Sequence, residues 1–189
     1  MHTIGVVAGS FDPITRGHER LIQEAARLVD HLHVVIGVNP VKKYMFTDVE
    51  RREMVEAAIK DLPSYDTPIE VHFVGQQLTI DFAKSVGATH LIRGIRDPSD
   101  FPDEVRTQLF NRKMAPEVET IFVISPPELA EVSSSMVRGL VGFENWEQTM
   151  SRYYAHPAVV EGLRRKVNAA SENKIGVPRV VHAHNRVPR

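Results

Sequence analysis

Residues 4–18, Ile-Gly-Val-Val-Ala-Gly-Ser-Phe-Asp-Pro-Ile-Thr-Arg-Gly-His, decide the fold of this chain. The apolar run at 4–8 predicts a buried β-strand, and the helical spacing of apolar residues after His18 predicts an amphipathic helix. Backbone N–H groups and the positive end of the helix dipole gather at a helix start, so this turn favours an anion. Gly9 and Gly17 allow the backbone to approach a ligand closely. The arrangement suits a nucleoside triphosphate.

Apolar runs then alternate with helical patterns along the chain. Further strands are predicted at residues 32–38, 69–74, 90–93 and 120–124. Helical patterns lie between them. The first consists of Leu21, Ala25, Leu28 and Val29, and the second of Val55, Ile59 and Leu62 after a Thr47-Asp48-Val49-Glu50 capping box. A short helix at residues 80–86 ends before Gly87, and a further helix contains Val105, Leu109 and Phe110. Such alternation predicts an α/β fold with a doubly wound parallel sheet. Ligands bind such sheets at the carboxyl ends of the strands, where the strand order reverses.

The pattern changes after Val141, and we expect three parts. Residues 1–142 form the main domain, and residues 143–168 form C-terminal helices that pack on it, one around 146–154 and one starting at Pro157. From 169 to 189 the chain is polar, holds two prolines and lacks a strong period, which predicts a flexible tail or arm.

The composition limits the classes of function. The chain has no cysteine, which excludes disulfides, thiolate catalysis and cysteine-bearing metal sites. A formal net charge of −1 gives no electrostatic footprint for nucleic acid, and no apolar run is long enough to span a bilayer, so we expect neither partner. No signal-peptide pattern is present, and we expect a cytoplasmic protein. Ser10 lacks the surroundings of a serine-hydrolase nucleophile, and there is no P-loop motif.

The chain contains nine histidines, two pairs of which are alternately spaced: His31 with His33, and His182 with His184. Alternate spacing on a strand or tail is a weak indication of metal binding. We interpret these four as structural or surface residues and expect no metal held by the protein itself.

Several segments together resemble a known family. Gly9-Ser10-Phe11-Asp12-Pro13 and Thr15-Arg16-Gly17-His18 are similar to the signature of the nucleotidyltransferase superfamily. The segments that further resemble the bacterial phosphopantetheine adenylyltransferase family, in its order and at nearly its spacing, are Asn39-Pro40-Val41-Lys42-Lys43 with Met45-Phe46-Thr47, Leu91-Ile92-Arg93-Gly94-Ile95-Arg96, Asn111-Arg112-Lys113 with Ala115-Pro116-Glu117, and Val132-Ser133-Ser134-Ser135-Met136-Val137. The resemblance covers residues 3–140.

This resemblance implies a Rossmann-like nucleotidyltransferase fold with a C-terminal helical extension. It implies transfer of AMP from ATP to 4′-phosphopantetheine, which yields dephospho-coenzyme A and pyrophosphate, with Mg²⁺ carried on the triphosphate. It also implies a homo-oligomer, specifically a hexamer. The chemistry asks little covalent work of the protein, so positioning and charge stabilisation should dominate.

The resemblance assigns roles to individual residues as well. It makes His18 a stabiliser of the transition state at the α-phosphate, and it makes Lys42 and Arg96 further catalytic residues. The residues it assigns to acceptor binding are Ser10, Lys42, Thr79 and Arg93. Those it assigns to ATP binding are Gly9, Ser10, Phe11, His18, Gly94, Ile95, Arg96, Glu104, Leu129, Ala130, Glu131, Val132, Ser133, Ser134 and Ser135. Read without the family, the two arginines suit structural ion pairs, the serines a helix cap, and Glu104 a solvated surface.

Some positions depart from the family pattern. Those positions are Thr79, Pro102, Asp103, Gly139 and the stretch Leu129-Ala130-Glu131. They cluster near the acceptor pocket and the adenine-side loop, whereas the phosphate-handling residues are kept. The predicted reaction is therefore adenylyl transfer, and two alternatives stay open. One is a different phosphorylated acceptor such as nicotinate mononucleotide, and the other is a catalytically degenerate nucleotide-binding protein.

Overall fold

Five parallel strands form the centre of the computed structural model, which describes residues 2–63 and 66–172. The strands are β1 (Ile4–Gly9), β2 (His31–Gly37), β3 (Ile69–Val74), β4 (His90–Ile95) and β5 (Glu119–Ile124). Their order across the sheet is β3-β2-β1-β4-β5. The chain winds outward from β1 to β3 and then returns to the other side of β1 with β4. The predicted doubly wound parallel sheet is confirmed, and the strand order reverses between β1 and β4.

Helices connect the strands and follow the last one. They are α1 (Arg16–Leu28), α2 (Asp48–Lys60), α3 (Thr79–Ser85), α4 (Phe101–Met114), α5 (Ser134–Leu140), α6 (Trp146–Thr149) and α7 (Pro157–Glu172). A 3₁₀ turn at Pro127–Leu129 precedes α5, and a π-helical turn at Met150–Tyr154 continues α6.

Local signals in the sequence mark the start of α2 and the end of α3, as predicted. The Thr47 hydroxyl accepts a hydrogen bond from the Glu50 N–H at 3.3 Å, and the Glu50 carboxylate accepts one from the Thr47 N–H at 2.7 Å. This reciprocal capping box satisfies two backbone donors at the start of α2. Gly87 follows α3 with φ of 67°, a left-handed conformation that glycine adopts without steric strain.

The sheet buries apolar side chains on both faces. The larger core lies under α1, α2, α5 and α7, and includes Val7, Ile22, Val34, Ile36, Met54, Val55, Ile92, Val137, Val159 and Leu163. The smaller core lies under α3 and includes Val6, Val35, Ile80, Phe82, Ala83 and Leu91. Because α7 and the π-helical turn contribute to the larger core, the C-terminal helices share it with the sheet.

The buried faces of two helices differ from the sequence prediction. In α1 the buried stripe is Ile22, Ala25 and Ala26, and the predicted core residue Leu28 is 48% exposed. In α4 no residue is buried, and Leu109 and Phe110 are about half exposed. Neither core includes a residue of α4, so the apolar residues of this helix remain at the surface.

The C-terminal boundary also differs. Helix α7 continues to Glu172, past the boundary predicted at residue 168. Most of the predicted tail, residues 173–189, lies outside the described residues. No helix among the described residues is long and apolar enough to cross a membrane.

Candidate active site

The carboxyl ends of β1 and β4 open into a cleft with a volume of about 560 Å³. This is the point of strand-order reversal, where a ligand site is expected. The predicted site residues that line the cleft are Gly9, Ser10, His18, Lys42, Arg93, Gly94, Arg96, Glu104, Val132, Ser133, Ser134 and Ser135. Segments far apart in the sequence therefore meet at one edge of the sheet.

Other predicted site residues lie outside the lining of this cleft. Phe11 is buried behind His18, with the two rings edge to face at 5.1 Å, and Ile95 belongs to the interior. Thr79 lines a separate small cavity. The stretch Leu129-Ala130-Glu131 forms the turn before α5 and does not line the cleft.

His18 occupies the first turn of α1 with a defined ring orientation. Its Nδ1 accepts a hydrogen bond from the Thr15 backbone N–H at 3.1 Å and lies 2.9 Å from the Thr15 hydroxyl. A nitrogen that accepts from an amide carries no proton, so the ring proton belongs on Nε2. Burial, and secondarily the nearby Arg96 guanidinium, lowers the pKa of His18 to about 4. The ring is therefore a neutral hydrogen-bond donor at neutral pH.

Arg93, at the end of β4, is held in a fork-to-fork ion pair. Its Nε and one terminal nitrogen each donate to the Glu104 carboxylate at 2.8 Å, and its other terminal nitrogen donates to the Ala8 carbonyl at 3.1 Å. Glu104 is thus an ion-pair partner and not the solvated residue that an isolated glutamate on a helix suggests. The guanidinium has five N–H donors, and within the described chain three are engaged, so its outer edge can still donate to a phosphate.

Arg96 is oriented by Asp100 at the start of α4. Its backbone N–H, its Nε and one terminal nitrogen all donate to the Asp100 carboxylate at 3.1 Å. Partial burial would raise the pKa of Asp100, but the hydrogen bonds from Arg96 outweigh that effect and lower the pKa below its ordinary value. Arg93 and Arg96 therefore both form ion pairs, as their sequence context suggests without reference to the family. Both also line the cleft.

The loop that carries Lys42 is anchored at its far end by Asp12. This buried carboxylate accepts hydrogen bonds from the backbone N–H groups of Met45 and Phe46, at 3.0 and 2.9 Å. Lys42 itself is exposed and lines the cleft, so its ammonium can reach an anion bound there. The loop is thereby tied to the turn after β1.

Arg51, which the sequence reading did not select, joins the ends of β1 and β2. Its side chain is fully buried, and one terminal nitrogen donates to the carbonyls of Ser10 and Gly37, at 2.8 and 3.3 Å. The other donates to the Asp48 carboxylate at 2.6 Å. The guanidinium carbon also lies 4.3 Å from the centre of the Tyr44 ring. No sequence pattern indicates the contacts of Arg51 with Ser10 and Gly37, because these acceptors are backbone carbonyls outside its own helix.

The serine segment forms the start of α5 on the opposite wall. Ser133 caps the helix by accepting from the Met136 N–H at 3.1 Å, which confirms the cap interpretation. Ser134 donates to the Pro13 carbonyl at 2.8 Å. Arg138, a further residue that the sequence reading missed, donates to the Asp12 carbonyl and to the Ser135 hydroxyl. These bonds dock α5 against the turn after β1.

The carboxylates of the cleft are all engaged with other protein groups. Asp12 accepts from two backbone amides, Asp100 from Arg96, and Glu104 from Arg93. Mg²⁺ prefers oxygen ligands and several waters, and it is often held through substrate phosphates. The residues present therefore fit a Mg²⁺ ion that arrives with a nucleotide rather than one held in a cage of protein carboxylates.

A second cavity of about 200 Å³ lies beside the cleft. Its lining is largely apolar and comprises Val6, Ala8, Leu78, Thr79, Ile80, Leu91, Arg93, Thr107, Phe110 and Asn111. Arg93 and Ala8 line both spaces. A ligand with an anionic end and a less polar arm can therefore place its anion against Arg93 and its arm in the small cavity.

A doubly wound sheet with a cationic, helix-bordered cleft at the β1–β4 reversal defines a nucleotide-binding α/β protein of the nucleotidyltransferase class. Residues 6–140 match the cytidylyltransferase-like family. The phosphopantetheine adenylyltransferase of Chromobacterium violaceum is 40% identical over 152 residues, 80% of this chain and 90% of the relative. That of Levilactobacillus brevis is 44% identical over 141 residues, 75% of this chain and 84% of the relative. The chain belongs to the cytidylyltransferase-like family and, within it, to the phosphopantetheine adenylyltransferases.

The fold likeness extends to more distant solved structures. A Plasmodium falciparum nicotinic acid mononucleotide adenylyltransferase complexed with NaAD has a TM-score of 0.66 at 20% identity, covering 90% of this chain and 98% of that chain. At this identity the likeness shows a common fold.

Proposed function

We propose that this enzyme transfers AMP from ATP to 4′-phosphopantetheine. A phosphate oxygen of the acceptor attacks the α-phosphorus of ATP, a new P–O bond forms, and the bond to the β-phosphate oxygen breaks. The products are dephospho-coenzyme A and pyrophosphate. Positioning and charge stabilisation carry such a reaction, because the phosphates themselves undergo the bond changes.

The observation that carries the proposal is the position of Arg93 in the wall between the cleft and the small apolar cavity. Its carboxylate partner fixes the guanidinium plane, and its remaining N–H groups would donate to an acceptor phosphate in the cleft. The adjoining cavity then receives the pantetheine arm. A nicotinate mononucleotide has a compact aromatic base instead of such an arm, so the paired spaces favour phosphopantetheine.

Three cleft residues would handle the reacting phosphates. His18 would donate from Nε2 to an α-phosphate oxygen, since its Nδ1 is already held by the Thr15 amide. Lys42 would bring a mobile positive charge to both phosphates from the loop after β2, and Arg96 would neutralise charge on the nucleotide side. Ser133, Ser134 and Ser135 with their N–H groups border the same space.

Mg²⁺ would enter on the ATP triphosphate, where it neutralises charge on the leaving pyrophosphate. The enzyme's own contribution would be the cationic residues around it.

The test is an acceptor screen that measures pyrophosphate release from ATP. We expect release with 4′-phosphopantetheine and little with nicotinate mononucleotide, and a strong reduction in the His18→Ala variant. Release only with another phosphorylated acceptor would replace the substrate and keep the reaction class. ATP binding with no release from any acceptor, unchanged in His18→Ala, would favour the degenerate nucleotide-binding protein.

We also propose that the enzyme is a homo-oligomer, a hexamer by the family resemblance, that works in the cytoplasm. An apolar surface on α4 supports an assembly: Phe101, Leu109 and Phe110 are each about half exposed. Light scattering on the eluted protein measures the mass, and replacement of Leu109 by a charged residue should lower it. A monomer in both proteins would contradict the proposal.

A further inference from the structure

A cluster of titratable side chains lies at the amino ends of β2 and β3, away from the cleft. His31 and His33 alternate along β2, and Glu70 and His72 alternate along β3, so each pair points to one face of its strand. His33 is directly opposite Glu70 in the parallel register. The four side chains therefore gather on the same face of the sheet; we call them the histidine cluster.

The donor atoms of the histidine cluster converge. One donor atom each of His31, His33 and Glu70 lies within 4.8 Å of the others. Glu70 Oε1 is 3.0 Å from His31 Nε2, and Glu70 Oε2 is 3.9 Å from His33 Nδ1 and 3.4 Å from His72 Nε2. A single carboxylate thus lies within 4 Å of three imidazoles.

Burial in the histidine cluster is uneven in a way that suits an ion. His33 is buried, and Phe82 of α3 covers it and His72 with ring separations of 6.0 and 5.0 Å. The Nε2 atom of His31 is buried and makes no hydrogen bond of acceptable geometry in the described part of the chain. Glu70 is 53% exposed, which leaves a path from solvent to the donor atoms.

The geometry points to a binding site for a divalent transition-metal ion of the Zn²⁺ type, with His31, His33 and Glu70 as ligands. Ligands at the usual bond lengths around tetrahedral zinc lie about 3.3 Å apart. The nitrogen–oxygen separations from Glu70 are 3.0 Å to His31 and 3.9 Å to His33. Two imidazoles and a carboxylate suit zinc and its neighbours rather than Mg²⁺, which prefers oxygen ligands. His72 brings a further nitrogen beside two of the three ligands, with its Nε2 2.9 Å from His33 Nδ1.

Without an ion, the donor atoms of the histidine cluster pair with one another. His31 Nε2 lies 3.0 Å from Glu70 Oε1, and His33 Nδ1 shares a hydrogen bond of 2.9 Å with His72 Nε2. An ion shared by His31, His33 and Glu70 would replace the first contact and order the carboxylate.

This site is separate from the nucleotide cleft. The six-residue distance along β2 from His31 to Gly37 is about 20 Å at the usual rise of a parallel strand. The metal at the histidine cluster is thus a different ion from the Mg²⁺ proposed to travel with ATP. Binding of this metal can be measured without any enzymatic reaction, so the metal-site proposal is tested independently of the proposed function.

The test is Zn²⁺ titration of the full-length protein, purified free of metal, against a chromophoric chelator. The chain also holds His182 and His184, so the double variant His182→Gln/His184→Gln is titrated in parallel. We expect both proteins to bind one equivalent, and the variants Glu70→Gln and His31→Gln to bind at least about tenfold more weakly. A matched control is His156→Gln, which breaks a two-residue pair with Asp61 at 2.9 Å and should bind as the unmodified protein does.

A second measurement uses the unmodified protein alone and so does not depend on the folding of a variant. Imidazole ¹⁵N resonances of His31 and His33 should shift on addition of one equivalent of Zn²⁺, while those of His156 should not. Zn²⁺ binding lost with His182 and His184, or unchanged in Glu70→Gln and His31→Gln, would overturn the proposal. So would saturation with Zn²⁺ that leaves the His31 and His33 resonances in place.

Discussion

The carboxyl and amino ends of the sheet both place histidine near charged groups, but the charges have opposite signs. In the cleft, His18 faces Arg96 and lies near Lys42 and Arg93. In the histidine cluster, three imidazoles surround the single carboxylate of Glu70. A neutral imidazole among cations is a hydrogen-bond donor to an anion, whereas imidazoles around a carboxylate form a donor set for a cation. The neighbours, and not the residue type, decide which ligand each end can take.

The largest effect should come from removing the cleft histidine. We expect His18→Ala to lower kcat by about a hundred- to a thousandfold, the usual effect of losing one preorganised donor to a reacting oxygen. The matched variant at the other end of the sheet, His31→Gln, should leave kcat nearly unchanged. Steady-state pyrophosphate release measures both. An equal loss in the two variants would show that the ends are not functionally distinct.

The next effect concerns the buried guanidinium that joins β1 to the cleft end of β2. Arg51→Met removes the donor to the carbonyls of Ser10 and Gly37 and leaves both without it. We expect the free energy of unfolding to fall by about 3 kcal/mol, as when one partner of a buried charged network is removed. Urea unfolding followed by circular dichroism measures the loss.

The control for that prediction is Arg52→Met on the next residue of the same helix. Arg52 is about half exposed and pairs with Glu56 at 2.7 Å, and a surface pair of this kind contributes little stability. Equal losses of unfolding free energy in the two variants would contradict the role given to Arg51.

A smaller effect should follow from replacing the forked guanidinium between the two cavities. Arg93→Lys retains the charge but loses the bidentate contact with Glu104. We expect the KM for 4′-phosphopantetheine to rise about tenfold, with a smaller change in the KM for ATP. If only the KM for ATP rose, Arg93 would belong to the nucleotide side of the cleft.

The smallest predicted change is in the pKa of His18, which is lowered in the folded protein and should rise when a nucleotide binds. The folded-state pKa of His18 is about 4, below the ordinary value of 6.5. Between these values the unfolded chain binds more protons, so this group's contribution to stability is fully present above pH 6.5 and is lost as the pH falls through 4. A non-hydrolysable ATP analogue adds negative charge beside the ring and should raise the pKa of His18.

Histidine NMR titration with and without the analogue measures this change. The resonance of His33, at the other end of the sheet, should titrate identically in both samples. A pKa of His18 that stayed unmoved on binding would place the phosphates away from the ring.

Much of the fold follows from local patterns. The strand at Ile69–Val74 has the predicted bounds, and the other four differ by one or two residues at their ends. Apolar β-branched runs and the Thr47 capping box act over a few residues, so they can be recognised without tertiary contacts. The exposure of Leu28 and Leu109 could not be recognised in this way. An apolar helical pattern predicts the helix but not which other elements pack against it.

The site residues likewise include some that the sequence indicates and some that only the tertiary structure reveals. The resemblance located the residues around the cleft because their motifs end strands or begin helices at the same sheet edge. It did not locate Asp12, Arg51 or Arg138 as structural anchors. The anchoring contacts Asp12–Met45, Arg51–Ser10 and Arg138–Asp12 join positions 33 or more residues apart, which no local pattern can indicate.

By itself, the sequence determined the class of this protein. The order of strands and helices, and the cleft-lining motifs from Gly9 to the serines of α5, are encoded in short stretches of sequence. Only the tertiary structure decided that Arg93 is forked on Glu104 between two cavities, and that Glu70 and His72 join His31 and His33. Both arrangements depend on which strands pair and in which register, and that choice is made by the packing of the whole sheet.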